Sequence, residues 1–180
     1  MALKIISDLH IDDTHILKYR PEFKTIEAHD AFIFESWNQS VDDRDEVIIV
    51  GDICKGGQAV RHILKNLPGR KHIVLGNWDA PAKVWIDEGF DSIHACIRLF
   101  GYDVNDVLLT RNIISHFPID PAGIPWDYNI HGHIHRDDPE ISSLAQKHIN
   151  VSADIIGYTP IDVSSIIPFP VERLELVFNE

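Results

Sequence analysis

Val47-Ile48-Ile49-Val50-Gly51-Asp52 is the stretch from which the fold is read. Four consecutive β-branched residues, preceded by acids and stopped by a glycine, predict a buried strand. An aspartate at the carboxyl end of such a strand lies where an open α/β sheet gathers ligand groups. The pattern occurs twice more. Leu3 to Leu9 is a short apolar run leading into Asp8-Leu9-His10, and Lys71 to Leu75 ends in Gly76-Asn77-Trp78-Asp79. Helix-sized segments separate the three runs. Pro21 to Asn38 opens with proline and repeats Phe23, Ile26, Ile33, Phe34 and Trp37 at helical spacing, with His29 on its polar side; Gln58 to Asn66 is the second. The alternation predicts an α/β fold with a site at one sheet edge.

The second half is richer in strands. Pro81 to Glu88 reads as a short helix, and Asp91 to Phe100 with Val107 to Ser115 as two strands around Gly-Tyr-Asp-Val-Asn-Asp. His116 follows the second of them. Tyr128 to Ile130 leads into Ile-His-Gly-His-Ile-His at residues 130 to 135. Ile149 to Ile156 reads as a strand, Asp162 to Ile167 as a short helix and Val171 to Phe178 as an edge strand. In an extended backbone, residues two apart point the same way with Cβ atoms ~6 to 7 Å apart. His133 and His135 could then each serve one of two metal ions ~3.5 to 4 Å apart, with His131 on the same face. Asp8 and His10, also two apart, suit a borderline metal such as Mn²⁺, Fe or Zn²⁺. Each motif alone has a plainer reading as a solvated turn or loop, and His15 in the loop after His10 is a candidate substrate contact. Gly56-Gly57 is not followed by Gly-Lys-Ser/Thr, so a Walker-type phosphate loop is not supported.

With 180 residues, the chain is expected to form one domain over residues 1–180. A formal charge of -12 opposes binding a long nucleic acid, because that affinity comes from cations displacing counterions; a small phosphorylated substrate fits better. The two cysteines, Cys54 and Cys96, are expected to stay thiols. The first residues have no apolar core of signal-peptide length, and no apolar run approaches the ~20 residues of a spanning helix, so a cytoplasmic protein is expected.

Asp8-x-His10, Gly51-Asp52, Gly76-Asn77, His116 and Gly132-His133-x-His135, in that order, resemble the calcineurin-like metallophosphoesterases. The segments around Trp37-Asn38, Gly69 to His72, and Asn150 to Pro160 look similar to the small cytosolic bacterial and phage branch. The resemblance implies a two-sheet α/β sandwich flanked by helices. It also implies a phosphodiesterase or phosphatase with two divalent metals, Mn²⁺ first and Fe, Zn²⁺ or Ni²⁺ as alternatives, acting on a small, nucleotide-like substrate. Asp8, His10 and His135 would hold one metal and Asn77, His116 and His133 the other, with Asp52 bridging, a shared water as nucleophile, and Asp52, Asn77 and His116 at the catalytic centre. The family's usual motif is Gly-Asn-His-Asp, whose histidine assists the leaving group. Trp78 stands in that place, where it could instead contact substrate. Two other readings stay open: a binding scaffold that has lost catalysis, and a nuclease.

Overall fold

A computed structural model describes residues 1–54, 56–120, 125–135 and 147–178. In chain order its first half runs β1 (Leu3–Ile6), α1 (Ile26–Ser40), β2 (Glu46–Val50), α2 (Gln58–Asn66), β3 (Arg70–Val74), α3 (Ala82–Glu88) and β4 (Ser92–His94). Then follow β5 (Cys96–Tyr102), β6 (Leu108–Ser115), β7 (Tyr128–His131), β8 (His148–Asn150), β9 (Ile161–Asp162) and β10 (Arg173–Val177), with one-turn helices at Ala153–Ile156 and Val163–Ile166. The strands form two five-stranded sheets, β4-β3-β2-β1-β9 and β10-β5-β6-β7-β8. In the first, β1 to β4 are parallel and β9 is antiparallel to β1. In the second, β6, β7 and β8 are parallel, and β5 runs antiparallel to both β6 and β10.

The apolar runs of β1 to β3 are continuous because both faces of their sheet are covered. Ile6, Val47, Ile49 and Ile73 pack with Ile33 and Trp37 of α1, Leu64 of α2 and Trp85 of α3. The alternate positions Ile5, Ile48, Val50 and Val74 face Ile97, Leu99, Ile114 and Ile130 of the second sheet. Each such side chain, when fully buried, contributes roughly 1.5–3 kcal/mol. The second sheet alternates instead: Ile97 and Leu99 turn inward while Arg98, Phe100 and Tyr102 are half-buried.

Several local expectations are corrected. Helix α1 starts at Ile26, not at Pro21, because the Thr25 hydroxyl caps it by accepting from the Ala28 N–H at 3.2 Å. His29 is fully buried, not solvated. The run Asp91 to Phe100 is two strands in different sheets, β4 and β5, with Ala95 at the corner between them. An apolar run cannot by itself reveal a corner. Likewise Ile149 to Ile156 is a strand only as far as Asn150, then a helical turn closed by Gly157 at φ 77°. The two-residue β9 carries too short a pattern to read in advance. Val171 to Phe178 does supply the edge strand β10. Cys54 and Cys96 are both free, and no helix among the described residues is long and apolar enough to cross a membrane. Substrate choice is expected to sit in the loops 11–20, 54–58, 78–90 and 117–128; the first and third are described throughout, whereas residue 55 and residues 121–124 lie outside the described residues.

Candidate metal centre

The candidate ligands sit just past the carboxyl ends of parallel strands: Asp8 and His10 after β1, Asp52 after β2, Asn77 after β3, His116 after β6, and His133 and His135 after β7. Backbone bonds tie these loops to one another, and the one from Ser7 to Val151 joins the two sheets. The loops after β1 and β2 run side by side through Asp8 N–H to Gly51 O (3.0 Å) and His10 N–H to Asp52 O (2.9 Å). Ser7 N–H donates to Val151 O (2.9 Å), and Gly132 N–H to His116 O (3.1 Å).

The side chains do not converge through strand alternation, as the spacing suggested. Asp8 (φ 56°), His10 (φ 49°), Asp52 (φ 52°) and His133 (φ 70°) all adopt the left-handed region. Aspartate and histidine are among the residues that tolerate it, at a cost of about 1–3 kcal/mol each, and such strain clusters at functional sites. Gly51 also lies there at φ 80°, and a side chain on it would strike the His116 ring. A Cβ on Gly132 would collide with Ser7 Oγ and Asp8 Oδ2, so glycine is required by close approach.

Two groups result. In one, ligand atoms of Asp8, His10 and His135 all lie within 4.8 Å of one another; in the other, those of Asp52, His116 and His133 do. Asp8 Oδ1 is 3.6 Å from His135 Nε2 and 3.9 Å from His10 Nε2. Asp52 faces both groups, Oδ2 at 3.7 Å from His10 Nε2 and Oδ1 at 3.4 Å from His116 Nε2. Asn77 Oδ1 lies 3.1 Å from His116 Nε2. His131 enters neither group: its Nδ1–H donates to Gly132 O (2.9 Å) and its ring meets His148. His15 is exposed on the 3-10 helix Thr14–Lys18, its Nδ1 3.2 Å from Asp13 Oδ1. Trp78 is exposed at the rim, its backbone N–H donating to Asp52 Oδ1 at 2.9 Å.

Whether these residues suit metal ions is tested by their unused atoms. Asp8 Oδ2 accepts from the Ser7 hydroxyl (2.6 Å), the Ser152 hydroxyl (3.0 Å) and His133 N–H (2.9 Å). Its other oxygen, Oδ1, is buried with no hydrogen-bond partner, and so is His10 Nε2. A buried carboxylate oxygen left bare is costly unless a cation takes it. In each of three histidines, Nδ1–H is held by an acceptor that turns Nε2 toward the centre: Asp13 Oδ2 for His10 (3.3 Å), Asp154 Oδ2 for His135 (3.0 Å) and Val50 O for His116 (2.9 Å). That is how metal-binding imidazoles are oriented. Imidazole nitrogens with carboxylate and amide oxygens suit borderline divalent ions, and the donor set fits.

Burial lowers His10 and His133 below the usual imidazole range, favouring the neutral form that binds metal. Burial also pulls His116 down, but its hydrogen bond to Asp52 and the charges of Asp8 and Asp52 outweigh that and raise it. For Asp52, burial acts upward and the His116 contact overcomes it, holding the carboxylate low.

Supporting residues escaped the sequence reading. Arg20 is fully buried and donates to Asp8 O (2.6 Å) and Leu9 O (3.3 Å), fixing the loop that carries Asp8 and His10. It also donates to His29 Nε2 (2.7 Å) and lies 3.7 Å from Asp154 Oδ1. Asp79 accepts from the N–H groups of Asp52, Ile53 and Gly76 at 2.7–2.9 Å, while burial pushes its carboxyl up to about 6. Its position two residues after Asn77 was the available signal. Asp154 had none, because its segment reads as strand, and Asp13 reads as a turn residue.

No family model matches the chain. An uncharacterized protein of Methanocaldococcus jannaschii is 29% identical over 171 residues, covering 91% of this chain and 88% of that protein. A crystal structure of a protein of unknown function from Aquifex aeolicus superposes with a TM-score of 0.71 at 26% identity, over 92% of this chain and 97% of that one. The Gene 66 protein of Mycobacterium phage L5 is 31% identical over 184 residues, covering 84% of this chain and 86% of the phage protein. At that identity and coverage, the chain belongs to the family of the phage L5 Gene 66 protein.

Proposed function

We propose that the chain is a single-domain, two-metal phosphoesterase of the calcineurin-like type, acting on a small phosphorylated substrate. The observation that carries this is the pair of ligand groups joined by Asp52, with the bare Asp8 Oδ1 and His10 Nε2 aimed into the first of them. Asp8, His10 and His135 would hold one ion, and His116, His133 and Asn77 the other, with Asp52 shared. Held there, two such ions would supply a more acidic water and positive charge opposite the phosphoryl oxygens.

The chain's own residues do the rest. Asp13, Asp154 and the Val50 carbonyl keep three Nε2 atoms pointed at the centre, and Asp79 clamps the loops that carry Asp52 and Asn77. Trp78 offers an indole N–H, a donor that does not titrate, so position 78 cannot deliver a proton to a leaving oxygen. Good leaving groups, as in aryl or nucleotide diesters, are therefore favoured over alkyl monoesters. The charge of -12 disfavours a nuclease acting on long chains.

The test is metal content beside hydrolysis of bis(4-nitrophenyl) phosphate after reconstitution with Mn²⁺. Two metals per chain and chelator-sensitive turnover are expected. Fewer than two at saturation overturns the dinuclear reading. The missing histidine at position 78 favours a second reading, a binding scaffold, which would show two metals without turnover on any diester.

A further inference from the structure

We propose that buried Arg20, gripped by the His29-Asp30 pair of α1, is a positioning residue that sets metal affinity at the Asp8-His10-His135 group and leaves the other group untouched; this rests on the two-metal reading above. The loop that carries Asp8 and His10 has left-handed backbone at every second residue, with Asp8 at φ 56°, His10 at φ 49° and Asp12 at φ 60°. Such a run persists only where its surroundings over-determine it. The grip comes from α1 and acts on both ends of the loop. At one end Arg20 donates to Asp8 O (2.6 Å) and Leu9 O (3.3 Å); at the other, Asp30 Oδ2 accepts from the Asp12 N–H (3.0 Å). His29 joins the two: its Nδ1–H donates to Asp30 Oδ1 (2.8 Å) and its Nε2 accepts from Arg20 (2.7 Å).

Arg20 also reaches the third ligand. Its guanidinium lies 3.7 Å from Asp154 Oδ1, and the other Asp154 oxygen takes the Nδ1–H of His135 (3.0 Å). One planar fork thus touches the supports of Asp8, His10 and His135 together. Among the described residues it hydrogen-bonds to none of Asp52, Asn77, His116 or His133, and the loops of Asp52 and Asn77 are held by Asp79 instead. Arg20 and His29 are both fully buried, with Phe23 edge-on to the His29 ring and the guanidinium over the Tyr158 ring. Stability alone accounts poorly for such a residue, because a buried charge often contributes less to folding than apolar groups of similar volume. Position accounts for it. Five donors in a fixed plane can hold two carbonyls and an imidazole at once, which the compact ammonium of a lysine cannot do in the same geometry.

Calorimetric titration of Mn²⁺ into the chelator-treated chain tests this through affinity, apart from turnover. Wild type should take up two ions. Arg20→Lys keeps the charge and loses the fork, so one binding step should weaken about 10- to 100-fold, the usual scale for a group that orients a ligand, while the other stays unchanged. In a His135→Ala background, where the first group is already broken, Arg20→Lys should add nothing. His29→Leu should weaken the same step, and His29→Gln, whose Oε1 can accept from Arg20, should restore it; a role in packing alone would not separate two side chains of such similar bulk. If Arg20→Lys does not fold, the His29 pair carries the test. Equal weakening of both steps, weakening of neither, an Arg20→Lys effect that persists beside His135→Ala, or leucine and glutamine variants that behave alike overturns the proposal and leaves the two-metal reading standing. Loss of fold in both His29 variants, read by circular dichroism, overturns it as well. Fewer than two ions in wild type overturns both readings together.

Discussion

Asp52 presents one carboxylate oxygen to His10 and the other to His116, so the two ligand groups depend on a single charge. Asp52→Asn keeps the shape and removes the charge that would hold two cations close. We expect metal content to fall below two per chain and turnover to drop at least about 100-fold, beyond the usual effect of losing a merely supporting group. Metal analysis with kcat on the variant checks this, and a variant that keeps both ions would show that Asp52 is not shared. Trp78 has a different consequence. Trp78→His restores a side chain able to donate a proton, an effect worth typically ~10² to 10⁴-fold where the leaving oxygen is basic. The rate ratio between alkyl and 4-nitrophenyl esters should rise in the variant by tenfold or more. No change, with two metals still bound, would mean that position 78 does not face the leaving group.

At the scale of elements, the helical turn Ala153–Ile156 supports His135, in the loop after β7: Asp154 takes the Nδ1–H of His135 and neighbours buried Arg20. Asp154→Asn should weaken Mn²⁺ binding about 10- to 100-fold at the Asp8-His10-His135 group and leave the other group unchanged. A calorimetric titration with Mn²⁺ reads the two steps separately; equal weakening of both would contradict the assignment. At the β3–β4 edge, burial lowers His72 below its usual value of 6.5, more than the Glu46 and Asp91 carboxylates raise it, and burial together with the His72 charge lowers His94. Both rings share Ser92 Oγ at 2.7 Å and stack on Phe178. Since their folded values lie below the unfolded one, the unfolded chain takes up protons first as pH falls. Their stabilisation is complete above about pH 6.5 and is lost on acidification, at most ~1.4 kcal/mol per pH unit for each ring. The urea midpoint should therefore fall from pH 7.5 to 5.5, and by less in His72→Gln. An identical slope in the variant would locate the pH dependence elsewhere.

For the whole molecule, Asp8 and Asp52 are 0% and 2% exposed at one sheet edge of a chain of charge -12, so the metal-free fold carries concentrated repulsion. An ion that binds only the folded state stabilises it by mass action, about 2.7 kcal/mol per site at a hundredfold excess over Kd. That corresponds to a rise in Tm of roughly 5–10 °C per site for a chain of this length. Thermal unfolding with and without saturating Mn²⁺ measures it, and a chelator should reverse the gain. A Tm indifferent to the metal would count against the centre.

The sequence by itself determined β1 to β3, α2 and the residues that end each strand, because a strand buried on both faces must be continuously apolar and its polar terminus then stands out. Val47 to Asp52 and Lys71 to Asn77 are legible for that reason alone. The same local signal misled at Asp91 to Phe100 and at Ile149 to Ile156, where the chain turns a corner without losing hydrophobicity. It also placed His29 in solvent, because helical periodicity cannot foresee a buried arginine that needs an acceptor. Only the tertiary structure decided how the centre is built. Four of its side chains are aimed by left-handed backbone, and no period of two or 3.6 encodes that. Asp154, Arg20 and Ser152 reach it from positions well separated in sequence from Asp8 and His10, brought there by the joining of two sheets at one edge. Spacing along a chain specifies which residues share a face; which faces meet is fixed by the packing of the sheets.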